Sequence, residues 1–520
     1  CKIVLRHNTA ETGTDMKRIA EKVKPASTDD YSGALPSAEL DANIAFFKKI
    51  FKKDSVLRLK RISGSGAYNC RCALFYVDGM VNSELLNESV IKPLLLVQNE
   101  RADESLTEYI ANRVLFASET ECTENVADML RAVLYGDTLL LIDGCMTAIT
   151  VNTKGWRTRG ISEPADERIL QGPREGFDEA ALLNAAMIRR KLLTPDLCTE
   201  MVRIGRRSDT IVFICYLDSL ADEGTVSELK RRLSKIDIDG ILDTNYIAEF
   251  IRDRPHSIFK TSGTTERPDT VAARLLEGRI AVIADGTPVV LTLPYLFSEN
   301  FQSDEDYYLN YTVASVGRLL RYICFFLSVS IPAAFVAAVT YHKELLPTSL
   351  AITVTQLRGG VPFPAFVECI LLIFVFEILK ETGVRMPQSL GHALSIVGGL
   401  VVGQAAVEAR IISAPMLIIV ALSGISGLMI PRLKSAVFYC RIIFVCLAAL
   451  FGLYGYIAGF TLMVIHILGL SSLGVSSTVS LDVADRRTLK DTLWRTSWRN
   501  MRTRPLFCRN SVRMENEKSD

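Results

Sequence analysis

The stretch ALFYVDG at residues 73–79 returns in a similar form as IVFICYLDS at residues 211–219. Tyr76 and Asp78 of the first copy correspond to Tyr216 and Asp218 of the second, 140 residues later. An apolar run that ends in a tight aspartate turn is typical of a buried strand. Each copy is followed by an amphipathic stretch, which predicts a helix after each strand.

A second pair of strings repeats at nearly the same distance. LLLIDG at residues 139–144 is matched by AVIADG at residues 281–286, an offset of 142 residues. Another short apolar run follows each Asp-Gly, which indicates a β-hairpin whose aspartates, Asp143 and Asp285, form the turns. Because the two offsets agree within two residues, we expect an α/β soluble half made of two related subdomains. Each should contain a strand, about three helices and a hairpin.

The remainder of the chain is predominantly apolar. Most of the charge lies in residues 1–318, and the long apolar runs lie between residues 322 and 470. A membrane-spanning helix needs about 20 apolar residues, and five runs approach or exceed that length: 322–341, 361–379, 390–408, 411–430 and 435–470. The sequence therefore predicts an all-α helical transmembrane domain of four to six membrane segments.

The number of crossings depends on two of these runs. We favour four crossings, with residues 390–408 re-entrant or broken by glycines. Six crossings are the alternative, if that segment crosses and residues 435–470 form a tight pair instead of one long tilted helix.

Basic residues predict the topology. Residues 486–513 hold nine Lys or Arg and one acid, Asp491, and Arg318 and Arg321 precede the first apolar run. Both ends should therefore lie in the cytoplasm beside anionic headgroups, which requires an even number of crossings. The expected domains are a partly mobile N-terminal arm (1–66), soluble subdomains 1 (67–200) and 2 (201–318), a transmembrane helical domain (319–470) and a basic cytoplasmic tail (471–520).

A polar stripe on a glycine-rich apolar segment indicates a pore or gate. Gln404 and Glu408 are one helical turn apart and follow closely spaced glycines. The candidate pore or gate residues are Val401, Val402, Gln404, Glu408 and Glu368. Plain packing of small residues is the alternative for the glycine-rich segment, and an ion pair or snorkelling is the alternative for Glu368 and Glu377.

No pattern in the sequence indicates catalysis. The five histidines lack spaced partners, and Cys70 and Cys72 do not have the spacing of a zinc-binding pair. We therefore expect no enzyme activity, no cofactor and no metal. The basic groups at residues 189–191 and 206–207 are expected on a solvated face, with lipid headgroups or a partner subunit as the alternatives.

Several longer strings resemble one known family. They are GPREGF (172–177), KIDIDGIL (235–242), TERPDTVAARLLEGR (265–279), EDYY (305–308), GVPFPAFVE (360–368), GGLVVGQAAVEA (398–409) and LKDTLWR (489–495). In this order they resemble the A subunit of the GerA family of spore germination proteins, from about residue 70 to residue 505. The text after the last apolar run, GVSSTVSLDVADRR (474–487), and the tail after Pro505 depart from that family's pattern.

The resemblance implies a function and a set of partners. Such subunits lie in the inner membrane of the bacterial spore, multi-pass, and act with a transporter-like B subunit that binds the nutrient and a lipoprotein C subunit. The A subunit is expected to form a homo-oligomeric ring that gates cation release, in contact with membrane lipids and without a nucleic-acid partner. An A-like subunit of the dipicolinate-channel operon is the near alternative.

Two other functions remain as alternatives. A secondary transporter predicts inverted repeats among the membrane segments, whereas the duplication here lies in the soluble half. A membrane-tethered enzyme requires a constellation of nucleophile, base or metal ligands, and the soluble half shows none.

Overall fold

The soluble half contains two sheets with the same strand order. In the computed structural model, the described residues are 27–63, 71–96, 105–155, 164, 167, 169, 171–385, 401, 403–479, 491–510 and 512–513. The first sheet comprises β1 (Leu57–Ser63), β2 (Arg71–Val77), β3 (Thr120–Thr123), β4 (Thr138–Ile142) and β5 (Ala148–Val151). The second comprises β6 (Leu197–Ile204), β7 (Thr210–Leu217), β8 (Gly263–Thr265), β9 (Ile280–Ala284) and β10 (Val290–Leu293).

Both sheets are antiparallel, and their orders are β1-β2-β4-β5-β3 and β6-β7-β9-β10-β8. The predicted duplication is therefore confirmed, and it extends to all five strands of each sheet. We refer to the two halves as unit 1 and unit 2.

Helices cover the sheets. Those of unit 1 are α1 (Leu40–Ile50), α2 (Ser83–Leu86), α3 (Lys92–Leu96), α4 (Leu106–Tyr109) and α5 (Val126–Tyr135), with π-helical turns at Asn87–Ile91 and Ile110–Val114. Those of unit 2 are α6 (Ala181–Lys191), α7 (Glu223–Leu233), α8 (Thr244–Ile251) and α9 (Pro268–Leu275). Short 3-10 helices lie at Thr28–Tyr31, Phe297–Phe301, Asp304–Tyr307, Lys343–Leu345, Pro431–Leu433 and Trp498–Asn500.

The units begin earlier in the chain than the sequence predicts. Helix α1 and strand β1 lie before residue 67, yet β1 pairs with β2 along its whole length. Likewise α6 and β6 begin before residue 201, and β6 pairs with β7 in unit 2. The expected boundaries fail because each unit opens with a helix and an edge strand, and β1 is too polar to stand out as a strand.

One hydrophobic core joins the two units. Its members come from α1 and α5 of unit 1 and from α6 and α9 of unit 2, together with the strand faces that these helices cover. Two further clusters fill the outer faces, one beneath α7 and α8 and one beneath the short helices of unit 1. The soluble half therefore has two sheets with a shared helical layer between them, and both faces of each sheet are covered.

The two Asp-Gly aspartates have a role beyond their turns. Asp143 Oδ1 accepts a hydrogen bond from the Leu40 main-chain N–H at 3.1 Å, at the start of α1. Asp285 Oδ1 accepts one from the Ala181 N–H at 2.9 Å, at the start of α6. Each carboxylate thus caps the first helix of its own unit, where main-chain donors have no helical partner.

The second half of the chain is helical. Its helices are α10 (Tyr311–Thr340), α11 (Thr348–Arg358), α12 (Ala365–Arg385), α13 (Ala414–Leu428) and α14 (Lys434–Leu468), and residues 403–408 are also helical. A two-stranded ribbon, β11 (Ser471–Ser472) and β12 (Val475–Ser476), follows α14.

Two stretches in the described part of the chain are long and apolar enough to cross a membrane: Tyr311–Thr340 and the 38 residues from Pro431 to Leu468. The sequence predicts four to six such segments, so the number of clear spans is lower than expected. Helix α13 is apolar but has 15 residues. Helix α12 carries charged side chains along its length, including Glu368, Glu377 and Lys380. Much of the predicted segment 390–408 lies outside the described residues.

The last helix reverses direction at Gly452. The backbone there has φ 63° and ψ −144°, which interrupts the helix and favours glycine. The rings of Phe444 and Phe460 are 6.4 Å apart, although a straight helix would separate these residues by about 24 Å. Helix α14 is therefore a hairpin, and of the two possibilities for residues 435–470 the structure shows the tight pair.

The helical domain has two distinct ends. We call the end that contacts unit 2 the foot, and the opposite end the far end. Helix α10 rises from the foot and ends beside the hairpin tip, where the Tyr341 hydroxyl donates to the Ala449 carbonyl at 2.8 Å. The second hairpin arm returns to the foot, where His466 Nε2 lies 3.0 Å from Ser257 Oγ.

Candidate functional site at the foot of the helical domain

A buried arginine joins three parts of the chain at the foot. Arg318, on the second turn of α10, is fully buried. Its Nε donates to Asp306 Oδ2 at 2.9 Å, and its guanidinium also donates to Asp491 Oδ1 at 2.7 Å. Asp306 follows unit 2, and Asp491 belongs to the C-terminal tail. One side chain therefore connects the soluble half, the first long apolar helix and the tail.

Asp306 is shared between two arginines. Arg321, one turn after Arg318, donates to both carboxylate oxygens of Asp306 at 2.9 and 2.8 Å. Burial alone would raise the pKa of Asp306, but hydrogen bonds and charge from Arg321 and Arg318 lower it below its ordinary value. The carboxylate is therefore ionised at neutral pH and is the central anion of the foot.

The tail contributes its own buried arginine. Arg495 donates to the carbonyls of Asp306, Leu309 and Tyr307, and its main-chain N–H donates to Ser315 Oγ at 3.1 Å. These acceptors cover the link between unit 2 and α10. A guanidinium has five donors in a rigid fork, so one Arg can hold several carbonyls in a fixed arrangement.

The hairpin joins the same network. Arg432, just before α14, donates to the carbonyls of Glu299 and Gln302 at 3.0 and 3.2 Å and pairs with Asp304 at 3.3 Å. The start of the hairpin and the start of α10 are thus held by neighbouring turns of unit 2. A displacement of unit 2 would move both helices together.

We call these residues the foot network: Arg318, Arg321, Asp306, Asp491, Arg495 and Arg432. A buried ion pair adds little net stability, but breaking it by removing one partner is costly. Such a network fixes one geometry and resists intermediate ones. This arrangement suits a rigid mechanical link between unit 2 and the helical domain.

The predicted polar stripe is present on the chain surface. Gln404 Nε2 donates to Glu408 Oε1 at 3.0 Å, and both side chains are exposed. Val401 is 57% exposed. Val402 lies outside the described residues. The described members of the stripe therefore face away from their own bundle.

Glu368 belongs to a different environment. Its side chain is fully buried at the start of α12 and accepts hydrogen bonds from the Ser413 hydroxyl and main-chain N–H. Arg358 Nε lies 3.7 Å from its other oxygen. The structure does not bring Glu368 together with Gln404 and Glu408, and these contacts match the ion-pair alternative from the sequence.

Glu377 and Arg441 form a second polar site inside the bundle. Glu377 pairs with Lys380 at 2.7 Å, as expected of a carboxylate near a basic group. Arg441, which the sequence places near the start of the last run, is buried and donates to the carbonyls of Ser328 and Ser423. It thus ties the first hairpin arm to α10 and α13.

Sequence reasoning missed the burial of several arginines. Arg189, expected on a solvated face, is buried and forms an ion pair with Asp54 of unit 1. It also donates to the Leu197 carbonyl at 3.1 Å. Arg190 and Lys191 are half-buried against Glu175, whereas Arg206 and Arg207 are exposed as expected. Only the position of Arg318 and Arg321 beside the apolar run pointed to the foot.

Across the part of the chain that the structure describes, no group of three or more His, Cys, Asp or Glu side chains is placed to hold a metal ion. The arginines of the foot network donate to carboxylates and to main-chain carbonyls. This composition fits a structural coupling site.

Comparison with known proteins gives the family. The model of the GerA family, described as Bacillus/Clostridium GerA spore germination protein, matches residues 45–507. The chain belongs to the GerA family of spore germination proteins.

The relatives are proteins of spore-forming bacteria. Spore germination protein KA of Bacillus subtilis is 39% identical over 89% of this chain and 86% of its own length. The uncharacterized membrane protein YfkQ of the same organism is 38% identical over 83% and 84%. Spore germination protein GerLA of Bacillus cereus is 34% identical over 87% and 92%.

A solved structure is also similar to this chain. It is the crystal structure of the N-terminal domain of the A subunit of the Bacillus megaterium spore germinant receptor GerK3, with a TM-score of 0.41 and 30% identity. The match covers 51% of this chain and 98% of that one.

Proposed function

We propose that this chain is the A subunit of a spore germinant receptor and that copies of it surround a gated path for cations. The proposal is supported most directly by the Gln404–Glu408 pair, which is exposed on the surface of the predominantly apolar helical domain. A carboxylate that faces hydrocarbon is costly, so such residues face other protein chains or water. A ring of subunits would supply that environment and would place the stripe around a central path.

We further propose that the helical domain crosses the membrane an even number of times, because basic residues flank both its first helix and its tail. Helices α10 and the first hairpin arm run from the foot to the far end, and α12, α13 and the second arm run back. Helix α12 ends at the foot, where Glu381 pairs with Lys434 at 3.5 Å, while Ser413 contacts Glu368 at the far end. An even number keeps both chain ends on one side.

The foot network would couple this path to the soluble units. A nutrient bound to a transporter-like B subunit, with a lipoprotein C subunit in the complex, would shift the population of receptor conformations. Units 1 and 2 and the tail would lie in the cytoplasm, and the helical domain would lie in the inner membrane of the spore. Movement of unit 2 would reach α10 through Arg318 and the hairpin through Arg432.

Ion flux from liposomes tests the proposal. The chain is reconstituted with its B and C subunits, and release of potassium is followed after addition of a nutrient that germinates the parent spores. We expect Glu408→Gln and Gln404→Leu to change the flux about tenfold or more, because they alter the polarity of the path.

Thr461→Val is the matched control. Thr461 is exposed on the second hairpin arm and hydrogen-bonds only within its own helix, to the Ile457 carbonyl at 2.8 Å. This variant should keep the wild-type flux. Equal flux in all four proteins would remove the Gln404–Glu408 stripe from the ion path, and substrate-saturable uptake would indicate a transporter.

A further inference from the structure

A cleft lies between unit 2 and the C-terminal tail, below the foot network. Its volume is about 450 Å³, within the range of small-molecule sites. One wall comes from α9 and the turn that follows it, and the other comes from the tail residues Trp498, Arg504 and Arg513. The cleft therefore exists only while the tail rests on unit 2.

The lining carries one more cationic side chain than anionic ones. Four arginines line the cleft against three carboxylates, which are Asp269, Glu277 and Asp304. Two of these carboxylates already form ion pairs with arginines: Glu277 pairs with Arg513 at 3.1 Å, and Asp304 pairs with Arg432 at 3.3 Å. Arg504 instead donates to the carbonyls of Leu276 and Val512.

The charged forms of two arginines are disfavoured here. Burial and the neighbouring Arg274 lower the pKa of Arg279 to about 10. Burial, together with the charge of Arg513, lowers the pKa of Arg504. An anion in the cleft would stabilise these guanidinium groups.

Three residues that line the cleft each carry a buried polar atom without a hydrogen-bond partner: Thr270 Oγ1, Asp269 Oδ1 and Arg279 Nε. Thr270 and Arg279 are more than nine-tenths buried, and the side chain of Asp269 is 9% exposed. A buried donor or acceptor without a partner is energetically unfavourable. Two of these atoms can accept a hydrogen bond and two can donate one.

Aromatic rings complete the cleft. Trp498 is 48% exposed and Tyr308 is 41% exposed, one on the tail and the other just after the Asp304–Tyr307 turn. Partly exposed rings offer stacking surfaces to a planar ligand group. The cleft thus combines cationic groups, aromatic faces and residues whose buried donors and acceptors have no partner.

We propose that this cleft binds a small organic anion that carries a planar ring and a hydroxyl or amine donor. Nucleoside monophosphates present all three features in a molecule of this size. The phosphate would meet Arg504, the hydroxyls would meet Asp269 and Thr270, and the base would lie against Trp498 or Tyr308. A bound ligand would hold the tail against unit 2, independently of any ion path.

Equilibrium dialysis of the full-length protein in lipid nanodiscs, with labelled AMP as the probe, tests this site. We expect saturable binding. Thr270→Val should weaken it about three- to tenfold, because a single neutral hydrogen bond is lost. Arg504→Gln should weaken it about tenfold or more, because a charged partner is lost.

Thr270→Val is the sharper variant because it is nearly isosteric and removes a hydroxyl that is unpaired in the free protein. The midpoint of thermal unfolding should therefore stay the same or rise while affinity falls. Arg206→Gln, which changes an exposed arginine paired with Asp237, is the control and should bind AMP as the wild type does.

Several results would overturn the assignment. Absence of saturable AMP binding, or binding that both Thr270→Val and Arg504→Gln leave intact, would remove the site. Inorganic phosphate that binds as tightly as AMP would exclude a role for the ring, and adenosine that binds equally well would exclude a role for the anion. If Arg504→Gln does not fold, Thr270→Val alone decides.

Discussion

Fully buried arginines mark the places where separate parts of this chain meet. Arg189 lies between units 1 and 2, and Arg318 and Arg495 lie between the soluble half, the helical domain and the tail. A guanidinium can satisfy several acceptors from different segments at once. At each of these places, one residue therefore fixes the relative position of two or three segments.

Arg189→Leu should destabilise the protein by about 3–5 kcal/mol, because Asp54 would remain buried without its counter-charge. The free energy of unfolding is measured by chemical denaturation of the purified chain in detergent. Arg206→Leu, at an exposed ion pair, is the control and should cost less than about 1 kcal/mol. Equal effects of the two changes would show that the Arg189–Asp54 pair is not energetically important.

Acid should loosen the foot network. The pKa of Asp306 is lower in the folded protein than in an unfolded chain, so its contribution to stability is present above about pH 4 and is lost as pH falls through the folded value. The midpoint of thermal unfolding, measured from pH 7 to pH 3, should fall more steeply for the wild type than for Asp306→Asn. Parallel curves would contradict the ionised state of Asp306.

At the scale of elements, the duplication preserves a contact as well as a strand order. In both units the carboxylate after the fourth strand reaches back to the first helix, although the helix and the aspartate are 103 or 104 residues apart. The cap therefore fixes the first helix against the sheet and also stabilises its N-terminus.

Asp143→Ala and Asp285→Ala should each cost about 1 kcal/mol, the usual value for a lost helix cap. Thermal unfolding of the two single variants should therefore shift by similar amounts. Asp218→Ala changes an aspartate whose partner is the exposed Lys53, and it should have a smaller effect. A neutral Asp285→Ala beside a destabilising Asp143→Ala would mean that only unit 1 depends on its cap.

Elements were predictable where pattern alone determines them. The strands around Tyr76 and Tyr216 and the Asp-Gly hairpins follow from alternation and turn chemistry, and the structure confirms them. The reversal at Gly452 was predictable only as one of two possibilities, because length alone does not distinguish one long tilted helix from a helical hairpin. Strand β1 was missed because its exposed, basic face hides the alternation.

The candidate site was less predictable than the fold. Arg318 and Arg321 were recognised only as topology signals. Arg318 pairs with Asp491, which lies 173 residues away, and the carboxylate that both arginines share, Asp306, lies in a separate turn before α10. Arg189 and Asp54 are 135 residues apart, so nothing local indicates that they are paired. The pair Gln404 and Glu408 was predictable because both residues lie on one helical turn.

On the scale of the whole molecule, the chain returns to where its helical domain began. The tail passes back over unit 2, where Arg509 N–H donates to the Leu220 carbonyl at 2.9 Å and Arg513 pairs with Glu277. Start and end of the helical domain are therefore fixed to the same unit. The tail is an integral part of the fold, although its sequence departs from the family pattern after Pro505.

Ending the chain at residue 490 should destabilise the foot by about 3–5 kcal/mol, because Arg318 would lose one of its two carboxylate partners and the carbonyls before α10 would lose Arg495. The measurement is thermal unfolding in detergent together with limited proteolysis, which should cut near α10 more readily. Ending the chain after Arg513 removes residues 514–520 and keeps every foot contact, so that protein should behave as the full chain does. Identical behaviour of both truncated proteins would contradict the structural role of the tail.

The layer of helices shared by the two sheets limits how this protein can be divided. If the chain were divided between units 1 and 2, each unit would expose the apolar surface that the other unit now covers. Asp54 in one unit and Arg189 in the other would each lose its ion-pair partner. Neither unit should remain soluble when it is expressed alone, and the two units should associate when they are mixed. A single copy of such a unit, without its duplicate, would have to form a homodimer to cover the same apolar surface.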